Sequence, residues 1–366
     1  MGDYVKFAFM CREKTRSIGA KVAVVGAGPA GLAATGYLAC EGYDVDVYDK
    51  QPLPGGLMVF AIPQWRIPPE RVISGARELE EKFNVKIILR TKVFAEEPEH
   101  EEGDDFAEKK ANLEDIIKNY DIVLLATGTW SSKTPRIPGV EARGVTTALE
   151  YLYKWRIYEY GYTTKKPPTG KNIVVIGGGY SAIDAAEKAL KTGAEVHLVY
   201  RRTIKEAPAG IYEIERVKRE GVTFIELASP TEIIAEDNKV KAVKFQKMTL
   251  GPPDETGRPK PVPVPGGEFT IESDLVVFAT GESPTPPLRN TTAEKIGLRI
   301  NKDGTIAVNE LMQTSIPKVF AAGDVVTGPS RIGPAIRNGL KAAKSMHYWY
   351  TAKTGKLISF SEVITQ

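Results

Sequence analysis

The sequence predicts an α/β protein of two doubly wound βαβ units, one inserted into the other. Three observations predict it. A strand–glycine turn–helix–strand segment occurs twice, as VAVVGAGPAGLAATGYLACEGYDVDVYDK (residues 22–50) and VVIGGGYSAIDAAEKALKTGAEVHLVYRR (residues 174–202). Two Ala-Thr-Gly turns close apolar strands, at LLATGT (124–129) and VFATGE (277–282). A third apolar strand ends in Gly-Asp far downstream, at KVFAAGD (318–324), and a glycine/proline turn then opens a helix.

In the first segment the turn is Gly26, Ala27, Gly28, Pro29 and Ala30, Gly42 closes the helix, and the second strand ends at Asp49-Lys50. A shift of 151 residues carries Gly26, Gly28 and Gly31 onto Gly177, Gly179 and Ala182, and Asp49 onto Tyr200. One Gly-x-Gly-x-x-Gly is a weak signal. Two copies, each between a β-branched strand and a helix, are a strong one. The first glycine permits a tight turn, the second admits a pyrophosphate to the backbone, and the third lets the helix close on the strand. Helix N-terminal amides and the macrodipole then favour phosphate.

The strand ends differ in charge. Asp49 can accept hydrogen bonds from ribose hydroxyls, which suits FAD or NAD. Arg201 and Arg202 cannot accept, but guanidinium forks suit a 2′-phosphate. The second unit is therefore expected to take NADP(H) at Gly178, Gly179, Tyr180 and Ser181, with Arg201 and Arg202 on the 2′-phosphate. In flavoproteins with two dinucleotide sites, a late strand-Gly-Asp returns to the first domain. Gly323 and Asp324 would then meet the ribityl and phosphate region of FAD. The next helix, starting near Gly333, Pro334 and Ala335, would aim its positive end at the flavin. The expected architecture is a two-dinucleotide-binding-domain flavoprotein with two Rossmann-like domains. A discontinuous FAD domain (1–135 and 283–366) would carry an inserted NAD(P) domain (136–282).

The remaining segments read as structural. Residues 239–272 form a hairpin around the loop GPPDETGRPKPVPVPGG, EEPEHEEGDD (96–105) reads as a solvated loop, and ALEYLYKWRIYEY (148–160) as core plus subunit contact. The two cysteines, Cys11 and Cys40, lie outside any Cys-x-x-Cys, which argues against a disulfide framework, a zinc site or a redox dithiol. Cys40 is expected in the core and Cys11 as a free thiol of an N-terminal arm. The three histidines suggest no triad and no metal set. A net charge of +3 from 49 basic and 46 acidic residues gives no reason to expect nucleic-acid binding. No signal peptide or membrane span is read, so a cytoplasmic protein is expected.

The stretch PGGLMVFAIPQWRIPPERV (54–72) resembles the signature of the glutamate synthase small (beta) subunit family. GGGYSAIDAA (177–186), YRR (200–202), EAPAG (206–210), FATGESP (278–284) and FAAGDVVTGPS (320–330) resemble the same family, so the likeness spreads over residues 21–345. The resemblance implies that Gly56, Leu57 and Arg66 line the flavin and its phosphates. It puts Ala126, Thr127 and Gly128 near FAD, and Gly281 near NADP. It also implies an NAD(P)H-dependent oxidoreductase whose flavin, not a side chain, carries the chemistry, by hydride transfer between nicotinamide C4 and flavin N5. Only about 20 residues, with one cysteine, precede Lys21 in this sequence, so the family's N-terminal iron–sulfur domain is not expected, and two cysteines cannot supply four cluster ligands. An electron-transfer protein or larger iron–sulfur subunit is therefore the expected partner, and a homodimer stays open. The alternative is an FAD-holding electron-transfer subunit of a heterodisulfide-reductase-like complex, with a vestigial or regulatory NAD(P) site.

Overall fold

The computed structural model describes residues 4–97, 100–254 and 257–355. The chain forms two compact units, one of residues 1–131 and 282–366 and the other of residues 132–281. The chain leaves the first unit three residues after the first Ala-Thr-Gly turn and returns directly after the second.

The first unit is built on a parallel sheet. Its strands are β1 (Lys21–Val25), β2 (Asp44–Tyr48), β3 (Lys86–Ile88), β4 (Ile122–Leu125) and, from the C-terminal segment, a strand at Val319–Ala321. In space the late strand lies outermost beside β4, followed by β1, β2 and β3. β1 and β4 are apolar and buried along nearly their whole length, as expected for a sheet covered on both faces. Helix α1 (Pro29–Cys40) covers it with an almost entirely buried run of small and apolar residues.

The N-terminal arm is part of this unit. Its backbone lies in notches left by two helical glycines. A Cβ on Gly36 of α1 would stand 2.2 Å from the Phe7 carbonyl oxygen, and one on Gly75 would stand 1.9 Å from that of Val5. Gly75 lies in α2 (Pro69–Phe83). Phe7 and Ala8 are buried there. The sequence reading of the cysteines is corrected here: Cys11 and Cys40 form a disulfide, with Cα atoms 5.7 Å apart. The hydroxyl of Thr15 donates to Cys40 O (2.7 Å), and Ile18 N donates to Gly42 O (3.1 Å), so the arm is stitched to the end of α1.

The second unit repeats the plan. Its parallel strands are β5 (Val145–Thr147), β6 (Asn172–Ile176), β7 (Glu195–Val199), β8 (Thr223–Ile225) and, later in the chain, Leu275–Phe278. That late strand lies between β5 and β6, and β7 and β8 follow on the other side of β6. Helices α3 (Ala148–Glu159), α4 (Tyr180–Leu190) and α5 (Ile211–Glu220) accompany the strands. Tyr151 and Trp155 of α3 pack into the core with Ala182, Ala185 and Ala186 of α4, so this aromatic face is interior to the unit. An antiparallel sheet of β9 (Ala228–Glu236), β10 (Lys239–Pro253) and β11 (Pro259–Glu272) is attached. The expected long loop is mostly strand. Pro259, Pro261, Pro263 and Pro265 lie on edge strand β11, where a strand tolerates missing amides, and Pro252 and Pro253 end β10.

Among the described residues no helix is long and apolar enough to cross a membrane.

The disulfide closes a segment with a sequence separation of 29. Loop-closure entropy assigns such a bridge ~3–4 kcal/mol. Cys11→Ser is expected to lower the urea midpoint by that amount of stability with an unchanged far-UV spectrum. Equal midpoints for the variant and the parent would show that the glycine notches alone hold the arm.

Candidate functional site

In each unit the glycine turn follows a central strand at its C-terminal end, the ordinary place for a ligand in an open α/β sheet. The three glycines do different work. Gly26 has φ +110°, and a Cβ on it would lie 2.3 Å from Ala126 O. A Cβ on Gly31 would lie 1.9 Å from Gly26 O. These two are demanded by the chain itself. Gly28 is not: its φ of −77° suits any residue. A Cβ there meets no heavy atom of the described residues within 4 Å, its chain neighbours aside. The second unit repeats this. Gly177, at φ +155°, presses on Ala279 O (2.3 Å for an added Cβ), whereas Gly179 is open, with φ −93°. Gly28 and Gly179 are therefore required neither by backbone conformation nor by packing. A cradle of this kind, at a helix N-terminus, fits a pyrophosphate.

In the first unit several of the sequence-predicted residues lie against this turn. Asp49 accepts from Ala27 N (2.6 Å) and Gln51 N (2.8 Å). Its burial pushes the carboxyl above the usual range, against those two amide bonds. Gly55 N donates to Ala27 O (2.8 Å), and a Cβ on Gly56 would lie 3.0 Å from Gly28 Cα. Leu57 opens a short helix there. Arg66 is half-buried in a turn, its amide donating to Pro63 O (2.9 Å). Ala126 N donates to Val25 O (2.7 Å), and Thr127 Oγ1 donates to Thr285 O (2.6 Å). Gly128, at φ +77°, leaves open space.

The C-terminal segment closes the site. Helix α6 (Ile332–Lys353) begins one residue before Gly333, Pro334 and Ala335. A Cβ on its Gly339 would lie 2.1 Å from Ala30 O, and one on Gly323 would lie 2.8 Å from Ala30 Cβ. Asn338 Oδ1 accepts from Gly323 N (2.7 Å). Asp324 accepts from the Ser330 hydroxyl (2.6 Å), and burial raises its carboxyl. Gly339 and Asn338 were missed in the sequence. A glycine inside a long helix was the available signal.

The reading of the acidic stretch needs correction. The Lys50 ammonium lies 3.0 Å from Glu101, 2.8 Å from Asp104 and 4.5 Å from the centre of the Trp130 ring. Lys92 meets Asp104 at 2.6 Å. Burial would raise Asp104, yet Lys50 and Lys92 hold it below its ordinary value. Residues 101–104 are thus folded onto a cleft lined by Gly26, Asp49, Lys50, Thr127, Trp130 and Thr285, among others. They are not a solvated loop. Lys50 is held by this acidic wall.

In the second unit, Tyr200 takes the place of Asp49. Its ring packs on Gly178, where a Cβ would come within 2.6 Å, and its hydroxyl donates to Glu206 O (3.0 Å). Tyr180 and Ser181 form the first turn of α4. Gly281, at φ +102°, is open. The two arginines are not equivalent. Arg201 is exposed. Arg202 is 1% exposed, and it donates to Asp254 (2.6 Å) and Pro259 O (2.7 Å). The expectation of a paired phosphate clamp is corrected in that respect, since a guanidinium sealed into an ion pair is not a surface ligand.

Residues 20–339 match the family described as "Pyridine nucleotide-disulphide oxidoreductase". The chain belongs to this family. It is an oxidoreductase of the kind that uses FAD and NADP(H), and the two open cradles fit that pair. It is 34% identical over 91% of its length to "NADP(+)-dependent formate dehydrogenase subunit beta" of Moorella thermoacetica, spanning 45% of that protein. It is 35% identical over 93% of its length to "Glutamate synthase [NADPH] small chain" of Azospirillum brasilense, spanning 69% of it. It is 32% identical over 90% of its length to "NADPH-Fe(3+) oxidoreductase subunit beta" of Geobacter sulfurreducens, spanning 50% of it. The resemblance to glutamate synthase small subunits is therefore borne out. In fold, the chain is similar to FprA of Mycobacterium tuberculosis in complex with NADPH (TM-score 0.73, 18% identity, 94% of this chain and 88% of that one). It is also similar to thioredoxin reductase of T. acidophilum (TM-score 0.63, 23% identity, 91% and 98%). The two-domain α/β fold read from the sequence is that of these proteins.

The family name invites a redox role for the disulfide, and the geometry argues against one. Cys40 ends α1, a helix of 12 residues that begins at the glycine turn. At 1.5 Å per residue it lies about 18 Å from that turn. The bridge is a staple.

Gly28→Ala is expected to leave stability within about 1 kcal/mol, since the site is open and extended, and to lower bound FAD at least tenfold. Gly26→Ala is expected to cost about 2–5 kcal/mol, from a left-handed alanine and a backbone clash. Urea unfolding of the flavin-free forms, with flavin content measured by absorbance, separates the two.

Proposed function

We propose that this chain passes electrons between NADP(H) and a partner electron-transfer protein or subunit, with FAD held in the first unit and NADP(H) in the second. The observation that carries the reading is the contrast between the strand ends. A buried carboxylate, Asp49, faces one glycine turn, and an exposed guanidinium, Arg201, follows the other. Bound together, the cofactors supply hydride exchange between nicotinamide C4 and flavin N5. The chain's residues bind, orient and set the field. Asp49 retains acceptor capacity for a ribose hydroxyl beyond its two amide bonds. The open turns at Gly28 and Gly179 admit the pyrophosphates. The first amides of α6 have no helical partner, and its macrodipole favours negative charge on a ring placed before Gly333. No side-chain acid or base is needed for such a transfer.

The relatives' names support this reading: all three contain NADP(+) or NADPH, and each names a subunit or chain. The alternative, an idle or regulatory second site, is disfavoured by the open space kept at both Gly179 and Gly281.

Anaerobic titration of the flavin-loaded protein tests the proposal. Near-stoichiometric bleaching by NADPH, with NADH poorer, is expected. Arg201→Ala is expected to raise the NADPH requirement by roughly 10-fold or more, the worth of a charge-assisted bond. A flavin that dithionite reduces and neither nucleotide touches would leave the second site without a role in electron transfer.

A further inference from the structure

The acid-rich strap at 101–104 is tied to two of the elements that build the cradle of the first unit. Glu102 N donates to Trp130 O (3.0 Å), just after the first Ala-Thr-Gly turn, and Gly103 O accepts from the side chain of Gln51 (2.6 Å). Gly103 has φ +80° and packs on Trp130, where a Cβ would stand 2.4 Å from a ring carbon. Gln51 N donates in turn to Asp49, and Asp49 accepts from Ala27 N of the glycine turn. A line of bonds therefore runs from the strap, through Gln51 and Asp49, to the turn.

Two lysines fasten the strap. Nζ of Lys50 donates to Glu101 (3.0 Å), to Asp104 (2.8 Å) and to Glu102 O (3.0 Å). Nζ of Lys92, from the short strand Thr91–Phe94, donates to the other Asp104 oxygen (2.6 Å) and lies 3.4 Å from Glu101. That second Asp104 oxygen also accepts from Glu101 N (2.8 Å), which closes the strap on itself. The four charged side chains keep only 6–16% of their exposure. A solvated ion pair would contribute little, but in a shielded network the loss of one partner leaves a charge short of acceptors and is strongly unfavourable. Asp104 is the group on which both lysines converge.

The cleft that Asp49 lines is walled by Lys50, Lys92, Phe94, Glu101 and Trp130, among others. A ribose whose hydroxyls meet Asp49 carries the pyrophosphate on C5′ and the adenine on C1′. With the phosphates at the glycine turn, this cleft is the space left for the base, and aromatic walls with lysine stems suit a flat, neutral ring. We propose that residues 101–104 form a clasp over the adenosine half of FAD, with Asp104 as its positioning residue. By holding Lys50 and Lys92, Asp104 fixes the wall against which the adenine lies. The clasp acts on the half of FAD that FMN lacks. This rests on the reading that places FAD in the first unit.

The test measures binding of FAD and of FMN to the full chain after flavin removal, by flavin fluorescence, with ADP as a competitor that carries the adenosine half alone. Asp104→Asn is expected to raise the FAD dissociation constant about 10- to 100-fold. FMN should change by less than about twofold, and ADP should lose its competition in step with FAD. Asp104→Glu should recover part of the loss, and Asp105→Asn, at the exposed neighbour, should bind FAD as the parent does. If FAD and FMN weaken by the same factor, the network serves only the fold and the inference fails. If Asp104→Asn leaves FAD affinity at the parent level while Gly28→Ala lowers it, the inference fails and the placement of FAD stands. If Gly28→Ala leaves FAD affinity unchanged as well, the placement and the inference fall together.

Discussion

Backbone touching backbone at the glycine turn is the contact on which the first unit depends. Gly31 sits against Gly26 O, Gly26 against Ala126 O, and Gly339 of α6 against Ala30 O. Each is a place where a methyl group would not fit. Together they draw a strand, the helix after it, the first Ala-Thr-Gly turn and the C-terminal helix to one point, although these come from distant parts of the chain. The hydrophobic effect supplies most of the stability of such a core, but it is not directional. The close approaches decide where the elements meet, and so where the open positions Gly28 and Gly128 are held.

Once the point of convergence is fixed, specificity falls to the residue that ends the second strand. A carboxylate in that place can be buried, because two amides of the turn are available to it. An arginine there cannot be buried on amides, which offer it no acceptor. The second unit solves this by placing Tyr200 against the turn, leaving Arg201 exposed, and importing Asp254 and Pro259 O to satisfy Arg202. The antiparallel sheet is then more than an ornament on the unit. It supplies the counter-charge without which the buried arginine would be prohibitively costly.

The parts of the fold that were legible in the sequence are those set by local chemistry. Both turns, both Ala-Thr-Gly crossings and the late Gly-Asp strand announce themselves through glycine and β-branched runs. Features made by partners distant in sequence were not legible. Glu101 and Asp104 lie in a charge run that reads as solvent-facing, and only the fold brings Lys50 and Lys92 to them. Arg202 reads as the twin of Arg201 until a hairpin some 52 residues later in the chain closes on it. Gly36 and Gly75 stand inside helices, where glycine is disfavoured by about 1 kcal/mol relative to alanine. That cost was a visible sign of a close neighbour, though not of which segment it would be.

The disulfide shows why a family name is not a mechanism. In a protein of this class a cystine invites assignment to the electron path. Here Cys40 lies at the far end of the helix whose N-terminus forms the cradle, and Cys11 belongs to an arm held by Gly36, Gly75, Thr15 and Ile18. A bridge in that setting restrains the unfolded chain and keeps the arm across α1 and α2. Electron transfer needs close approach between donor and acceptor, and the cystine lies about a helix length from the glycine turn. The two cysteines serve the scaffold of the first unit.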